Sequence, residues 1–260
     1  MFSAKVVIFL AAVAVCYGAP NARLRQHHLQ IDGGHPAKIQ EYPFIASVQW
    51  CVFGCEHTCG AVIVNESWVL TAAGCIEDTL SVAVGTANLQ GTDGILVDVA
   101  SSHVHPDAPE DGVGPNDLAL LKLAKPLTFN DKVQAAKLPT QGQEFTGKAV
   151  VTGYSYTDDP SVNTLQAALN LELISNADCK KQLDIFYPGK ALLDDNANVC
   201  TLSETSNHCY ADFGSPLSQD GTVIGTATWY VLPCGAKGAP NVYTKLSNYA
   251  DWIAQTIAAN

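Results

Sequence analysis

Apolar and β-branched residues recur in short runs at 44–50, 61–64, 80–84, 95–99, 118–123, 149–152, 165–173 and 223–229, each punctuated by Gly, Asn, Asp or Pro. Runs of this length, rich in Val, Ile, Leu and aromatic residues and separated by turn formers, predict strands and an all-β protein. The tail 249–257 is different. Tyr249, Trp252, Ile253 and Ile257 fall at helical spacing with no breaker between them, which predicts a C-terminal helix. The Pro126–Pro139 stretch separates two halves of similar size, 31–137 and 138–260, each with its own strand set. No internal repeat or low-complexity tract interrupts the pattern.

The first thirty residues do not belong to that pattern. Lys5, an apolar run at 6–15 and the small residues Gly18 and Ala19 follow the order of a secretory signal peptide, assigned to 1–18. The run is too short to span a bilayer. A polar stretch at 19–30 then reads as a propeptide. A secreted, extracellular product is expected, and its 260 residues suffice for one large or two small cores. Lys5, Arg23 and Arg25 are the only charges before residue 31, so residues 31–260 hold 11 basic and 25 acidic side chains, a net charge of −14, and no arginine. Such a surface argues against nucleic acid and anionic membranes and favours solubility or a basic protein partner.

Of nine cysteines, Cys16 falls in the leader and eight remain, an even number that suggests disulfides in a secreted chain. Cys51, Cys55, His57 and Cys59 crowd within nine residues, so zinc binding is the competing reading for them. No acidic loop has the spacing of a calcium-binding EF-hand. No metal or other cofactor is expected.

The motifs point to one framework. Ile31-Asp32-Gly33-Gly34 follows the polar stretch; Trp68-Val69-Leu70-Thr71-Ala72-Ala73-Gly74-Cys75, Asn116-Asp117-Leu118-Ala119-Leu120-Leu121, Thr152-Gly153-Tyr154, Cys209-Tyr210-Ala211-Asp212-Phe213-Gly214-Ser215-Pro216 and Pro240-Asn241-Val242-Tyr243 follow in order. The chain resembles the trypsin and chymotrypsin family of serine proteases over residues 31–260, and the order and spacing of the landmarks carry that resemblance. It implies two six-stranded antiparallel β-barrels with a cleft between them and a terminal helix. It also implies disulfides Cys59–Cys75, Cys179–Cys200 and Cys209–Cys234. Cys51 and Cys55 are then left for each other, through a tight turn at Gly54, or for an intermolecular bond.

In that family a serine attacks, a histidine takes its proton and a buried aspartate orients the histidine. The resemblance places Phe213, Gly74 and Asp117 at those positions, so nucleophile and base are both replaced. Ala211 stands where a glycine N–H helps bind the oxyanion, and Ser215 is the nearest hydroxyl. His103 and His105, in a loop ahead of Asp117, read as surface residues. The floor of the substrate pocket falls on Asn207 and its walls on Tyr230 and Asn241, where small glycines are usual, so the pocket is expected to be blocked. Asp212 corresponds to the residue that pairs with the α-amino group of Ile31 after propeptide removal, although Gln30 is not a residue that trypsin-like activators cut after. Asn65-Glu66-Ser67 is an N-glycosylation sequon, next to a bulky Trp68.

These replacements lead to the expectation of a pseudoprotease rather than an enzyme: a secreted, monomeric protein acting by protein binding. The set of replacements resembles the inactivated serine protease paralogues of scabies mites, which are related to mite trypsin-like allergens. That resemblance implies inhibition of a proteolytic cascade such as host complement, by contact with complement recognition or cascade proteins. The alternative is a non-catalytic scaffold or cofactor in the producer's own immune or clotting cascade. Arthropod members of that class usually carry an extra cysteine-rich module, and residues 19–50 contain no cysteine.

Overall fold

The computed structural model describes residues 31, 33–110, 114–156, 163–189, 192–206, 208 and 212–260. The leader 1–18 and propeptide 19–30 lie outside the described residues, as do Asn207, Cys209 and Ala211.

A two-residue strand, β1 (His35–Pro36), opens the described chain. Strands β2 (Ile45–Cys51), β3 (Cys55–Asn65), β4 (Trp68–Thr71), β5 (Leu80–Val84), β6 (Ile95–Val104) and β7 (Ala119–Leu123) close into an antiparallel barrel in the order β2-β3-β4-β7-β6-β5. The second half supplies β8 (Gly147–Tyr156), β9 (Asn163–Ile174), β10 (Asn198–Leu202), β11 (Pro216–Gln219), β12 (Thr222–Tyr230) and β13 (Pro240–Lys245). These run β9-β10-β13-β12-β11-β8, and the β8–β9 pairing closes a second antiparallel barrel of six strands. The fold is thus the double barrel expected from the sequence, ending in helix α2 (Ala250–Ala259).

Closure explains the sequence pattern. Each strand turns one face inward, so a half-buried strand such as β6 alternates along its length while β4, β5 and most of β7 are buried on both faces and read as continuous apolar runs. Val48, Ala61, Ile63, Val69, Val82, Val84 and Leu121 fill the first barrel; Val151, Ala168, Leu171, Leu217, Ala227 and Tyr243 fill the second. Between them lies a third cluster, in which Val62, Leu70, Leu118 and Leu120 meet Val223 and Leu246. Tyr154 of β8, fully buried, donates from its hydroxyl to Thr86 O at 2.8 Å.

The two ends of the chain cross over. β1 pairs with β9 of the second barrel through His35↔Ala167 and Pro36↔Gln166, whereas α2 packs Ile253 against the cluster that contains Trp68, Leu70 and Leu120 of the first. Lys122 Nζ of β7 also donates to the Asn260 carbonyl. Each barrel is held by a segment that flanks the other.

Several elements were not among the sequence-based strands and helix. β10 and β11 are four or five residues long and carry polar residues within them. Helix α1 (Asn176–Phe186) buries only Cys179 and Leu183, too narrow an apolar stripe to register as a period. Its one clear signal is the cap: Ser175 Oγ accepts from Asp178 N at 3.1 Å. Cys51 is bonded to Cys55, Cys59 to Cys75 and Cys179 to Cys200. Cys234 is also disulfide-bonded; Cys209, the partner implied for it, lies outside the described residues. Bonding of Cys51, Cys55 and Cys59 takes their thiolates out of the zinc alternative.

Candidate functional site

Asp117 sits at the seam of the two barrels. It follows Asn116, a residue at φ 63°, and precedes β7, so the turn drives its side chain inward. It is 1% exposed. Its Oδ1 accepts from the backbone N–H groups of Ala73 (2.7 Å) and Gly74 (3.2 Å), and its Oδ2 accepts from Thr228 Oγ1 at 2.5 Å. Thr244 Oγ1 donates to the Asp117 carbonyl at 2.9 Å. Loss of water on burial pushes the carboxyl up to about 6, against the three hydrogen bonds that favour the ion. The groups that address this carboxylate are thus two backbone amides from the first barrel and a hydroxyl from the second.

Phe213 lies in the turn ahead of β11. Its carbonyl accepts from Gly60 N of β3 at 2.8 Å, and its half-buried ring packs on the core of the first barrel. The ring stacks on Tyr230 at the end of β12, with centroids 5.9 Å apart and planes 27° apart. Tyr230 in turn pairs with Asn241 of β13 in the strand register, and Asn241 is 1% exposed. Three side chains that the resemblance assigned to nucleophile and pocket walls thus adjoin one another, two of them aromatic and in contact.

The turn itself leaves no freedom. Gly214 adopts φ 76°, and a Cβ there would stand 2.3 Å from Gly60 O and 2.4 Å from Thr71 Oγ1, so only glycine fits. On the other side of the contact, a Cβ on Gly60 would come within 2.2 Å of Ser215 Oγ and 2.7 Å of Ser215 Cα. Ser215 is fully buried, and its backbone is held by Asp212 O and Ala227 N, each at 2.9 Å. It presents no hydroxyl to solvent.

Ile31 is buried, its side chain in the second barrel's core, and its backbone N–H donates to Ser155 Oγ at 2.9 Å. Asp212, 1% exposed, approaches the same place: a Cβ on Gly153 would lie 2.8 Å from Asp212 Oδ1, 2.9 Å from Ser215 Oγ and 3.2 Å from Ile31 Cδ1. Gly153 thereby lets Ile31, Asp212 and the Phe213 turn converge. Ser155 was not singled out from the sequence, because only the fold brings it to a residue 124 positions earlier.

Two histidines outside the catalytic motifs are also placed by the fold; the sequence reads His57 only as a possible zinc ligand. His208 is fully buried, its ring against Tyr230 (5.9 Å) and Tyr243 (4.9 Å). Its Nε2 lies 3.2 Å from Trp229 O; a carbonyl only accepts, so Nε2 carries the proton. Burial drives the imidazole down to about 3, against that hydrogen bond. His57 of β3 shares a hydrogen bond with Ser47 of β2, Oγ to Nδ1 at 2.8 Å, and sets its ring 5.9 Å from Tyr154. Ser47 and His57 are 0% and 7% exposed, so the pair lies inside the wall of the first barrel.

At the remaining expected positions, Asn65 Oδ1 accepts from Ser67 N at 2.8 Å; His103 lies in β6, paired with Leu120 of β7 and 5.3 Å from the Trp68 ring, rather than in a loop; and His105 packs between Tyr249 and Trp252. Among the described residues no group of three His, Cys, Asp or Glu side chains has the arrangement to hold a metal ion, and no helix is long and apolar enough to cross a membrane.

Comparison with known proteins bears directly on this site. The family described as Trypsin matches residues 31–253. Cationic trypsin-3 of Rattus norvegicus is 30% identical over 260 residues, covering 98% of this chain and 100% of the relative. Trypsin-2 of Salmo salar is 33% identical over 235 residues (88% and 96%), and the trypsin of Phaedon cochleariae 30% over 273 (96% and 97%).

The expectation that the chain is not an enzyme is corrected by these findings. Relatives matched along almost its whole length are trypsins by name, and the first barrel holds a serine–imidazole pair, the combination by which a base activates a hydroxyl. From the sequence, the base is sought at Gly74, with His103 and His105 set aside as surface residues, and the nucleophile at Phe213, with Ser215 the nearest hydroxyl. Strand register instead brings Ser47 to His57, through the β2–β3 pairing and the register shift between Val48 and Gln49, and no motif spacing reports such a contact.

Proposed function

The chain belongs to the trypsin family, and from that premise we propose that it is a secreted, monomeric member that acts on a proteolytic cascade, host complement in particular, by binding one of the cascade's proteins. The observation that carries this reading is the Phe213–Tyr230 stack. Tyr230 and Asn241 stand where the resemblance sets the walls of the substrate pocket, and Phe213 closes on Tyr230 from the facing turn. Both rings are half-buried, so the stack leaves an aromatic surface at this turn that a folded partner can cover.

Three further features support it. Gly60, Gly153 and Gly214 keep the close backbone approaches that hold the two barrels and the Phe213 turn in one arrangement, as a rigid binding surface requires. The net charge of −14 over residues 31–260, without an arginine, favours a basic partner patch. Secretion fits the leader pattern at 1–18 and the disulfides.

Recombinant residues 31–260, added to human serum, are expected to reduce lysis through at least one complement pathway and to retain a complement protein when immobilised. Undiminished lysis in every pathway, with no serum protein retained, would overturn the proposal and move the partner to the producer's own cascade.

A further inference from the structure

The hairpin joining β2 to β3 ends in a tip that the rest of the fold does not use. Phe53 is 102% exposed, and Trp50 and Val52 are 38% and 46% exposed. Three large apolar side chains thus stand in water within four consecutive residues. The tip is nonetheless fixed. The Cys51–Cys55 bond closes it, Cys51 N donates to Thr79 O at 3.0 Å, and Gly54 turns the chain at φ 141° with nothing within 4 Å of a Cβ placed there. A stapled turn bearing an exposed aromatic ring meets two demands of a binding anchor, apolar area and little ordering entropy left to lose.

The surroundings of the tip narrow what it fits. A pocket of about 440 Å³ opens beside it, lined by Cys51, Glu77, Asp78, Leu80 and Asp98 among others, and its charged lining residues are all acidic. Glu77, Asp78 and Asp98 are exposed, as is Glu56 on the returning strand. The tip also lies close along the chain to the Phe213 turn: Cys55 is five positions before Gly60 on β3, whose N–H is bonded to Phe213 O, a reach of about 17 Å in an extended strand.

We propose that residues 50–53 and the acidic pocket beside them form this chain's docking surface, and that its occupant is a protein offering an apolar recess rimmed by lysine or arginine. The inference rests on the protein-binding reading above and supplies its surface and the chemistry of its partner. Phe53 fills the recess, and Glu56, Glu77, Asp78 and Asp98 face the basic rim.

The test compares inhibition of complement lysis by the unaltered protein, Phe53→Asp, the double variant Glu77→Lys with Asp78→Lys, and Ile185→Asp, an exposed position on α1 in the second barrel. All four substituted positions are solvent-exposed, and thermal melts check that the variants fold alike. Phe53→Asp is expected to weaken inhibition at least about tenfold, the size of a modest anchor. The double lysine variant is expected to weaken it at low salt, with the gap narrowing as salt rises, and Ile185→Asp to change nothing. Phe53→Asp matching the unaltered protein would overturn the docking surface and leave the protein-binding reading intact. A double lysine variant of full potency would overturn the basic rim. Unaltered protein that neither slows lysis nor retains a serum protein would overturn both proposals together.

Discussion

Replacing Asp117 with asparagine is expected to stabilise the protein near neutral pH. The buried carboxyl is raised from 3.8 to about 6, a shift of roughly two pH units or about 3 kcal/mol. Because the folded carboxyl keeps its proton to higher pH than the unfolded one, the native state binds more protons within that window. Its stability therefore falls as pH rises from about 4 to about 6. Asparagine has nearly the same shape, and its carbonyl oxygen can accept from Ala73 N and Gly74 N as Oδ1 does now. Its amide can donate to Thr228 Oγ1, reversing the present bond. The variant thus keeps the contacts and loses the ion. Denaturant unfolding of both proteins between pH 4 and 7.5, with disulfides intact, gives the difference in stability at each pH. That difference is expected to be small at pH 4 and to grow to about 3 kcal/mol in the variant's favour by pH 7. A difference that is flat with pH, or that favours the unaltered protein at pH 7, would show that the hydrogen bonds offset or outweigh desolvation, the opposite of the expected result.

Other outcomes follow from the same geometry. His208, driven down from 6.5 to about 3, binds fewer protons in the folded state, so stability falls as pH drops below 6.5, by up to about 1.4 kcal/mol per pH unit; His208→Gln is expected to remove that slope in pH-dependent unfolding. Its slope opposes that of Asp117 between about pH 4 and 6, so it should emerge most clearly in the Asp117→Asn background. Ser47→Ala, which takes the hydroxyl from His57 Nδ1 in a buried site, is expected to lower unfolding free energy by about 1–3 kcal/mol. Gly60→Ala drives a Cβ to 2.7 Å from the Ser215 backbone and is expected to cost about 3 kcal/mol or more in the same assay.

What the sequence made legible was whatever repeats locally or sits in an ordered motif. The run 118–123 is apolar because Leu121 and Leu123 face the first barrel's core while Leu118 and Leu120 pack in the cluster between the barrels, and α2 shows its period because one side must cover Trp68 and Leu70. Helix α1 hides because two buried residues make no period, and β10 and β11 because they are short. At the site, the resemblance directed attention to positions 74, 213 and 230. It did not reveal what they touch: the Phe213–Tyr230 stack, the Thr228–Asp117 bond and the Ile31–Ser155 bond join residues separated by 17, 111 and 124 positions. Ser47 and His57 are closer in sequence, yet neither lies in the catalytic motifs, so their pairing emerges only from the register of two strands.

If the protein acts on complement as proposed, by occupying a partner, the dependence of inhibition on dose and time shows it. Serum is incubated with increasing amounts of residues 31–260 for periods from minutes to hours before target cells are added. Binding predicts that inhibition follows the molar ratio to the partner and stops changing once association is complete. Inhibition that keeps growing with time at amounts far below the partner's, and that survives removal of the protein, would contradict it.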